Sequence, residues 1–367
     1  MGVPLLDIKR QIYTIRKEID DVLRNVIDQT QFILGPEVKI FEQNIAKYCH
    51  TDHAVGVASG TDALIIALQA VGVAKGDEVI TTPYSFFATA SAIWRLGAKP
   101  VFVDIDPHTY NIDTSSVYEM ISNKTKAVLV VHLFGQSADM DALSSLPEHI
   151  PVIEDAAQAL SAKWNGIHAG NLGVCGCFSF FPSKNLGGFG DGGMITTSNS
   201  ELAQKCKALR VHGALQTYIH EEVGYNSRLD TIQAAVLNVK LNYLDKWSEK
   251  RRQNAHFYNT MFQNTPVVTP KVHSKATPIY NQYVIRTPQR DLLRKKLTEM
   301  NIGNAVYYPL PLHLQPCFRE LHYREGAFPE AEAASKETIA LPIFAELNQD
   351  ELNIVAEAVL EHIKAVS

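Results

Sequence analysis

The sequence has few of the features that stabilise secreted or metal-binding domains. Its 367 residues include five cysteines, and no two of them are spaced as in a C-x-x-C motif. Disulfide scaffolds use even sets of cysteines in short chains, and structural zinc sites use closely spaced ones, so neither a disulfide framework nor a metal site is predicted. We expect reduced thiols, as in a cytoplasmic protein.

Long apolar runs and blocks of like charge are also absent. No apolar stretch approaches the ~18 residues that a membrane-spanning helix needs, and charge appears within the first ten positions, too early for a signal peptide. The 34 basic and 39 acidic side chains give a net charge of −5 and are spread along the chain. This pattern predicts neither a nucleic-acid partner nor a membrane partner.

Short apolar runs alternate with helical patterns over the first 240 residues. The runs are rich in Val and Ile and cover 54–58, 78–82, 100–104, 126–132, 151–155, 177–181 and 193–197. Such runs are typical of buried strands, and their alternation with helices predicts an α/β fold with a mixed, mostly parallel sheet between helices. In sheets of this kind, ligands bind at the carboxyl ends of the strands.

The last third of the chain predicts a smaller domain. One continuous helix is expected over 230–262, before two nearby prolines. Beyond it the pattern indicates strands at 280–286 and 304–308 and helices at 290–300 and 349–364. We therefore predict a large α/β domain over residues 1–245 and a small α+β domain over residues 246–367.

The segment Ser59-Gly60-Thr61-Asp62 follows a predicted strand and begins a predicted helix. Free N–H groups and the helix dipole favour an anion there, Gly60 allows close approach, and Thr61 adds a hydroxyl donor. A phosphate site is therefore predicted. Serine and threonine also cap helices without any ligand, which is the alternative.

Asp155 lies at the end of the predicted strand 151–155. A buried carboxylate is costly unless it meets a cation or several donors. A protonated pyridine nitrogen would supply the cation, and Gln158 would donate to an oxygen of the same ring. Capping of a following helix by Asp155 is the alternative.

Lys184 comes just after a strongly apolar strand. A lysine withdrawn from water loses proton affinity and becomes a nucleophile suited to Schiff-base formation. Ser179, five residues earlier, would bind phosphate through its hydroxyl. The alternative is an ordinary surface lysine in a loop, which is the commoner case.

Residues 188–193 match the pattern G-x-G-x-x-G. In a dinucleotide-binding loop these glycines open a helix, whereas residues 194–197 read as a strand, and no Lys-Ser/Thr pair follows as in a P-loop. We predict a flexible loop that lets Lys184 reach a cofactor. A nicotinamide-dependent oxidoreductase that uses this segment is the alternative.

Seven strings occur in an order that is informative as a set: Gly35-Pro36-Glu37, Ser59-Gly60-Thr61-Asp62-Ala63-Leu64, Gly76-Asp77-Glu78-Val79-Ile80, Val103-Asp104-Ile105-Asp106, Ile153-Glu154-Asp155-Ala156-Ala157-Gln158, Phe180-Phe181-Pro182-Ser183-Lys184-Asn185-Leu186-Gly187 and Asn226-Ser227-Arg228-Leu229-Asp230. With them the chain resembles, from about residue 4 to 345, the DegT/StrS-type nucleotide-sugar aminotransferases. These belong to the fold-type-I, aspartate-aminotransferase-like enzymes, which use pyridoxal 5'-phosphate (PLP).

The resemblance implies a role for each matching residue. Lys184 would hold PLP as a Schiff base and carry the proton during transamination. Asp155 would pair with the pyridine nitrogen, and Gln158 would contact the 3-oxygen of the ring. Phe86 would stack on the ring, although Phe87 lies one position away. The phosphate would be held by Gly60, Thr61 and Ser179.

A homodimer with two shared active sites is also implied. Asn226 and Arg228 occupy a stretch that, in the family, reaches into the neighbouring subunit's site. Asn226 would then contact phosphate and Arg228 would contact substrate. A plain turn before the helix that starts at Asp230 is the alternative.

The resemblance further implies L-glutamate as amino donor and a nucleotide-linked keto sugar as acceptor. The Pro182-Ser183-Lys184 and Gly190-Asp191-Gly192-Gly193 segments look like the 3-keto branch, since 4-keto enzymes usually carry a histidine near the lysine and a Gly-Glu-Gly-Gly loop. A UDP-linked 2-acetamido-3-keto sugar is favoured, with Tyr308 and His313 as candidate contacts. A dTDP-linked 3-keto-6-deoxy sugar, a 4-keto sugar and a PLP-binding regulator without turnover are the alternatives.

Overall fold

A seven-stranded sheet forms the centre of the N-terminal two-thirds of the chain. The computed structural model describes residues 2–216 and 218–366. In spatial order the strands are β1 (His53–Val57), β9 (Gly193–Thr197), β8 (Cys175–Ser179), β5 (Val152–Asp155), β4 (Thr125–Val131), β2 (Glu78–Thr81) and β3 (Lys99–Phe102). Only β9 runs against its neighbours β1 and β8, and the other pairings are parallel. The predicted mostly parallel α/β sheet is confirmed.

The remaining strands form three small sheets in the described part of the chain. They are β6 (Lys163–Trp164), β7 (Ile167–His168), β10 (Ala214–Gln216), β11 (Ile219–His220), β12 (Ala276–Thr277), β13 (Tyr283–Arg286) and β14 (Thr338–Leu341).

Helices cover the central sheet and build most of the C-terminal part. They are α1 (Ile8–Gln29), α2 (Pro36–Cys49), α3 (Gly60–Ala70), α4 (Ala88–Arg95), α5 (Ser200–Leu209), α6 (Thr231–Leu241), α7 (Leu244–Met261), α8 (Arg290–Glu299), α9 (Pro329–Glu337) and α10 (Gln349–Val366). Across residues 2–216 and 218–366, none of the helices combines the length and the apolar character of a membrane span.

Alternate residues of each strand pack against different helices. Cys177 and Ile195 lie in a cluster with residues of α3, α4 and α5. Their neighbours Phe178 and Met194 lie in a cluster with residues of α2 and α6. Because successive strand residues point to opposite faces, both faces of the sheet are covered. This explains why the strands appear in the sequence as continuous apolar runs.

The C-terminal part differs from the sequence prediction at two places. The helix expected over 230–262 is divided into α6 and α7, because the N–H groups of Asn242 and Tyr243 bond to the carbonyl oxygens three residues back instead of four. The ring of Tyr243 stacks on Trp247. The prediction of a strand over 304–308 is wrong, because within this range only Ala305 forms a bridge, which pairs it with Ala340. Prolines 309 and 311 follow directly, and proline cannot donate to a sheet.

The other C-terminal elements occur as predicted. They are β13, α8 and α10, and with α7 and β14 they enclose a separate hydrophobic cluster, which includes Tyr258, Leu297, Leu341 and Val355. The N-terminus joins this part of the molecule, because Val3 forms a bridge with Ile302. The boundary between residues 245 and 246 falls in the first turn of α7 and stays a prediction.

Candidate active site

A cavity of about 640 Å³ opens at the carboxyl edge of the central sheet. Four of the residues that line it, Ser59, His132, Asp155 and Ser179, follow or end β1, β4, β5 and β8. Since β9 is antiparallel, its first residue Gly193 lies at this same edge, paired with both Val57 and Ser179. The chain therefore brings four separate segments to one point, where the parallel topology places a ligand site.

The predicted phosphate residues meet at the start of α3. Ser59 caps the helix, because its Oγ accepts the N–H of Asp62 at 3.1 Å. Gly60 and Thr61 form the first turn and line the cavity. A Cβ on Gly60 would lie 2.7 Å from the Cβ of Ser179, so the two residues are in contact and only glycine fits. The observed cap does not exclude the predicted anion site, because a helix start leaves further first-turn N–H groups free and Gly60 and Thr61 line the cavity.

Asp155 is a buried carboxylate without a cationic hydrogen-bond partner. It is 5% exposed. Its Oδ2 accepts from Thr89 Oγ1 at 2.7 Å, and its Oδ1 accepts from the backbone N–H of Ala157 at 3.3 Å. Burial raises the pKa of Asp155, and these hydrogen bonds and the charge of Lys184 oppose that rise. A protonated ring nitrogen fits this site, because it would supply the missing positive charge.

Lys184 lies on the wall of the same cavity. Its side chain is half-buried and belongs to the segment that follows β8. Burial lowers the pKa of Lys184 to about 8, and the negative charge of Asp155 opposes this effect. At pH 7 about a tenth of such an amine is unprotonated, far more than for an ordinary lysine, and this is the form that attacks an aldehyde.

The capture of PLP by Lys184 is expected to depend on pH in a way that reflects this lowered pKa. Below about pH 8 the reactive amine should increase roughly tenfold per pH unit, and above it the rate should level off, because deprotonation is then complete. Stopped-flow absorbance after mixing PLP with cofactor-free protein measures this rate. A Lys184→Ala protein is the blank, and a rate that still climbs up to about pH 10 would contradict the assignment.

Gln158, Tyr308 and Phe86 form a second wall of the cavity. Gln158 accepts the N–H of Phe134 at 2.8 Å and donates to the hydroxyl of Tyr308 at 3.1 Å. Phe86 is 58% exposed and its ring lies 6.3 Å from that of Tyr308. The ring of Phe87 instead stacks on a phenylalanine outside the cavity. The structure thus favours Phe86 over its neighbour as the stacking residue.

Sequence reasoning missed the pair formed by His132 and Glu154. Glu154 is fully buried and accepts three backbone N–H groups of residues 170–173 at 2.6–2.7 Å, besides His132 Nε2 at 2.9 Å. The N–H of Ala138 donates to His132 Nδ1 at 3.1 Å, which places the ring proton on Nε2. The available signal was a polar residue directly after the apolar run of β4, the same signal that pointed to Asp155.

Asn226 and Arg228 do not line the cavity of their own chain. Asn226 is exposed, and Arg228 donates to it at 2.6 Å. Ser227 between them is buried, accepts the N–H of Ala58 and donates to Asp62. Ser227 therefore ties the segment to the start of α3, and its two neighbours lie near that helix start without lining the cavity.

His313 lies outside the cavity, contrary to the expectation of a sugar contact. Its side chain is buried, its Nε2 is 3.0 Å from Glu332 Oε1, and its ring packs edge-on against Phe328 at 4.8 Å. The ring is therefore part of the hydrophobic packing around α9. Tyr308, by contrast, does line the cavity.

The glycine segment 187–193 is closely packed, which differs from the flexible loop that was expected. None of its glycines has a positive φ. A Cβ on Gly187 would lie 2.3 Å from the carbonyl oxygen of Pro182, and one on Gly193 would lie 2.3 Å from that of Ser59. Gly187 and Gly193 are required because neighbouring backbone segments approach too closely for any side chain. The other three glycines face side chains, of Gln233 and Leu229.

The strand-end cavity, the buried carboxylate and the lysine of lowered pKa together define a PLP-dependent aminotransferase of fold type I. The chain belongs to the DegT/DnrJ/EryC1/StrS aminotransferase family, whose model matches residues 13–360.

Similar proteins cover nearly the whole chain. A "Pleiotropic regulatory protein" of Geobacillus stearothermophilus is 50% identical over 98% of both chains. The dTDP-3-amino-3,4,6-trideoxy-alpha-D-glucose transaminase of Streptomyces venezuelae is 40% identical over 99% of this chain and 97% of its own. The UDP-N-acetyl-3-dehydro-alpha-D-glucosamine 3-aminotransferase of Acidithiobacillus ferrooxidans is 38% identical over 98% and 97%.

Solved structures agree with the fold and with the cofactor. DesV of S. venezuelae in complex with a ketimine intermediate has a TM-score of 0.96 and 40% identity, covering 99% of this chain and 98% of that one. NtdA of Bacillus subtilis with bound cofactor PMP has a TM-score of 0.92 and 31% identity, covering 99% and 85%.

Proposed function

We propose that this enzyme transfers the amino group of L-glutamate to C3 of a nucleotide-linked 3-keto sugar, in the biosynthesis of a surface polysaccharide or another glycan. The observation that carries the proposal is Lys184, with its lowered pKa, on the wall of a cavity that also holds the buried Asp155. A UDP-linked 2-acetamido-3-keto sugar is the favoured acceptor, supported by the Pro182-Ser183-Lys184 segment and by the named activity of the A. ferrooxidans relative.

The proposed reaction assigns distinct tasks to the residues of the cavity. When bound, PLP supplies a ring that accepts electrons from the carbon that loses its proton. Asp155 keeps the ring nitrogen protonated, and Lys184 takes and returns the proton. The start of α3 orients the phosphate, and Phe86 covers one face of the ring. Phe86 and Tyr308 together shield the reacting atoms from water.

Spectroscopy of the two half-reactions tests this proposal. We expect the yellow holoenzyme to bleach when L-glutamate is added and to regain its colour when a 3-keto nucleotide sugar follows. A panel of UDP-linked and dTDP-linked sugars, with the amine position read by mass spectrometry, identifies the acceptor. A dTDP-linked substrate is the second candidate, because the S. venezuelae relative carries that activity in its name.

A regulator without turnover is the other candidate function, favoured by the name of the relative at 50% identity. Both candidates predict bound PLP, so the colour of the protein does not separate them. A single turnover with a keto sugar does, since only the enzyme transfers nitrogen to it. Lys184 and Asp155 in one cavity support the enzyme.

We also propose a homodimer in which Asn226 and Arg228 complete the site of the partner subunit. Apolar side chains are exposed around this segment: Phe32, Ile33, Leu34, Phe189, Tyr218 and Val223. Ile33 forms a bridge with Asp230, and the N–H of Phe189 donates to Gln233 at the start of α6. Contiguous exposed apolar groups of this kind are typical of a subunit interface.

Subunit mixing tests this arrangement. We expect Lys184→Ala dimers and Asn226→Ala/Arg228→Ala dimers each to have little activity. After exchange of subunits, about half of the dimers are hybrids, each with one intact site, so about a quarter of the wild-type activity should return. Mixing Lys184→Ala with Asp155→Asn is the control, because both residues serve the same subunit's cavity and each hybrid site stays defective.

A further inference from the structure

A smaller chamber adjoins the active-site cavity. It has a volume of about 110 Å³, and Ser183, Gln282 and Tyr307 line both spaces. Its remaining lining residues are Leu5, Leu6, Arg251, Asn281, Ala340, Leu341 and Ile343, and no acidic side chain is among them. Because Ser183 directly precedes Lys184 and lines both spaces, the chamber adjoins the segment that carries the reactive lysine.

Arg251 brings an unpaired positive charge to the chamber. The residue is 5% exposed, and its Nη1 donates to the carbonyl oxygens of Tyr280 (3.0 Å), Asn281 (3.4 Å) and Ile343 (2.8 Å). Within the described part of the chain, Nε and Nη2 form no hydrogen bond and the guanidinium forms no ion pair. Burial lowers the pKa of Arg251 to about 10. The negative charge of Glu346 acts in the opposite direction but has the smaller effect.

Such an arrangement is unusual for a purely structural arginine. A buried cation is costly unless an anion and further acceptors compensate it. Two amide oxygens of the chamber wall, Asn281 Oδ1 and Gln282 Oε1, are also buried without a partner. If either side-chain amide rotated by half a turn, its NH2 group would take the position of its oxygen. The walls therefore offer several donors and need an acceptor of negative charge.

We propose that Arg251 binds a carboxylate of the amino donor through Nε and Nη2. A carboxylate matches the planar fork of a guanidinium, fits a chamber of this size and supplies the missing negative charge. The phosphates of a nucleotide sugar are too bulky to enter with the rest of the molecule attached. This inference rests on the proposed function, because it assumes an amino acid as donor.

Separate measurement of the two half-reactions in Arg251→Met and Arg251→Lys holoenzymes tests the assignment. The Met variant should bind L-glutamate about 10- to 100-fold more weakly, the usual effect of losing hydrogen bonds to a charged group. Arg251→Lys keeps the positive charge but lacks the planar guanidinium, so its affinity for L-glutamate should fall by an intermediate factor. The second half-reaction, with the sugar and the aminated cofactor, should change less than about threefold, because no donor carboxylate is then present.

Glutarate, which has two carboxylates and no amino group, gives a readout without turnover. Calorimetry on the wild-type holoenzyme should detect its binding, and Arg251→Met should weaken it by the same factor as L-glutamate. L-2-aminobutyrate keeps only the α-carboxylate of glutamate, and 4-aminobutyrate keeps only the distal one. The compound whose competition with glutamate is weakened by Arg251→Met identifies the carboxylate that Arg251 contacts. Unchanged affinity for glutamate and glutarate in a folded Met variant would overturn the proposal.

A second variant covers the case in which Arg251→Met does not fold. Leu6→Phe fills the chamber and leaves the guanidinium in place. It should reduce the affinity for glutamate and glutarate and spare the sugar half-reaction, and full donor affinity in this variant would refute the site. If glutamate never bleaches the wild type although glutarate still binds at Arg251, the proposed function fails and the carboxylate site stands.

Discussion

Replacement of Lys184 by alanine is expected to reduce turnover by at least about 10³-fold while PLP remains bound. Positioned proton transfer alone contributes about 10²- to 10⁴-fold, and the variant also loses covalent attachment of the cofactor. The proposed phosphate site at the start of α3, Asp155 and Phe86 are untouched, so we expect binding to survive without the bond. Steady-state kinetics measures the first effect, and mass spectrometry after borohydride reduction measures the second.

Lys240 provides an internal control for this experiment. Its pKa is also lowered to about 8 by burial, yet it does not line the cavity, and its amine donates to the carbonyl oxygen of Gly187. If low pKa alone determined the reaction, reduction would label both lysines. We expect label only at Lys184, and label at Lys240, or turnover close to wild type in Lys184→Ala, would disprove the central assignment.

Asp155→Asn is expected to reduce kcat/KM by about 10²- to 10³-fold, the range that follows from removing one partner of a buried charge pair. Asparagine keeps the shape and the hydrogen bond with Thr89, but it cannot hold a neighbouring ring nitrogen in its protonated form. The loss should fall mainly on proton removal from the donor, so replacing the α-hydrogen of glutamate with deuterium should reveal a larger isotope effect in the variant.

Thr89→Val is the matched control for Asp155→Asn. Valine has the shape of threonine without the hydroxyl, so the carboxylate keeps its charge and loses one hydrogen bond of 2.7 Å. The expected loss is about tenfold, which corresponds to one hydrogen bond to a charged group. Equal losses in the two variants would mean that the geometry of the carboxylate, rather than its charge, is what the reaction needs.

The sequence was informative where a local pattern determines the structure. The strands of the central sheet are continuous apolar runs because both faces are covered, so they were predicted to within two residues. Asp155 and Lys184 were found because each follows such a run, and the carboxyl edge of a parallel sheet gathers these positions. Ser59-Gly60-Thr61 was found for the same reason, since a strand end and a helix start meet there.

Other features depend on contacts between distant parts of the chain and leave no local pattern. At the break between α6 and α7, the hydroxyl of Tyr243 donates to Glu18 of α1, more than 200 positions away. The missing strand at 304–308 is different, because Pro309 and Pro311 gave a local signal against it. His313 was placed near the sugar by its neighbours in sequence, but its partner Glu332 lies 19 positions away. Arg251 of α7 and Ser183 line the same chamber although they are 68 positions apart, which no spacing in the sequence indicates.

The opposite orientations of Glu154 and Asp155 have a consequence for how this enzyme can vary. One carboxylate anchors the 170–173 turn behind the sheet and the other faces the cavity, although the two are adjacent in the chain. Insertion or deletion of a single residue before them in β5 would move each carboxylate to the opposite face of the sheet. The turn would lose Glu154 and the cavity would lose Asp155 in one step, so we expect the length of this strand to be invariant even where its apolar residues change.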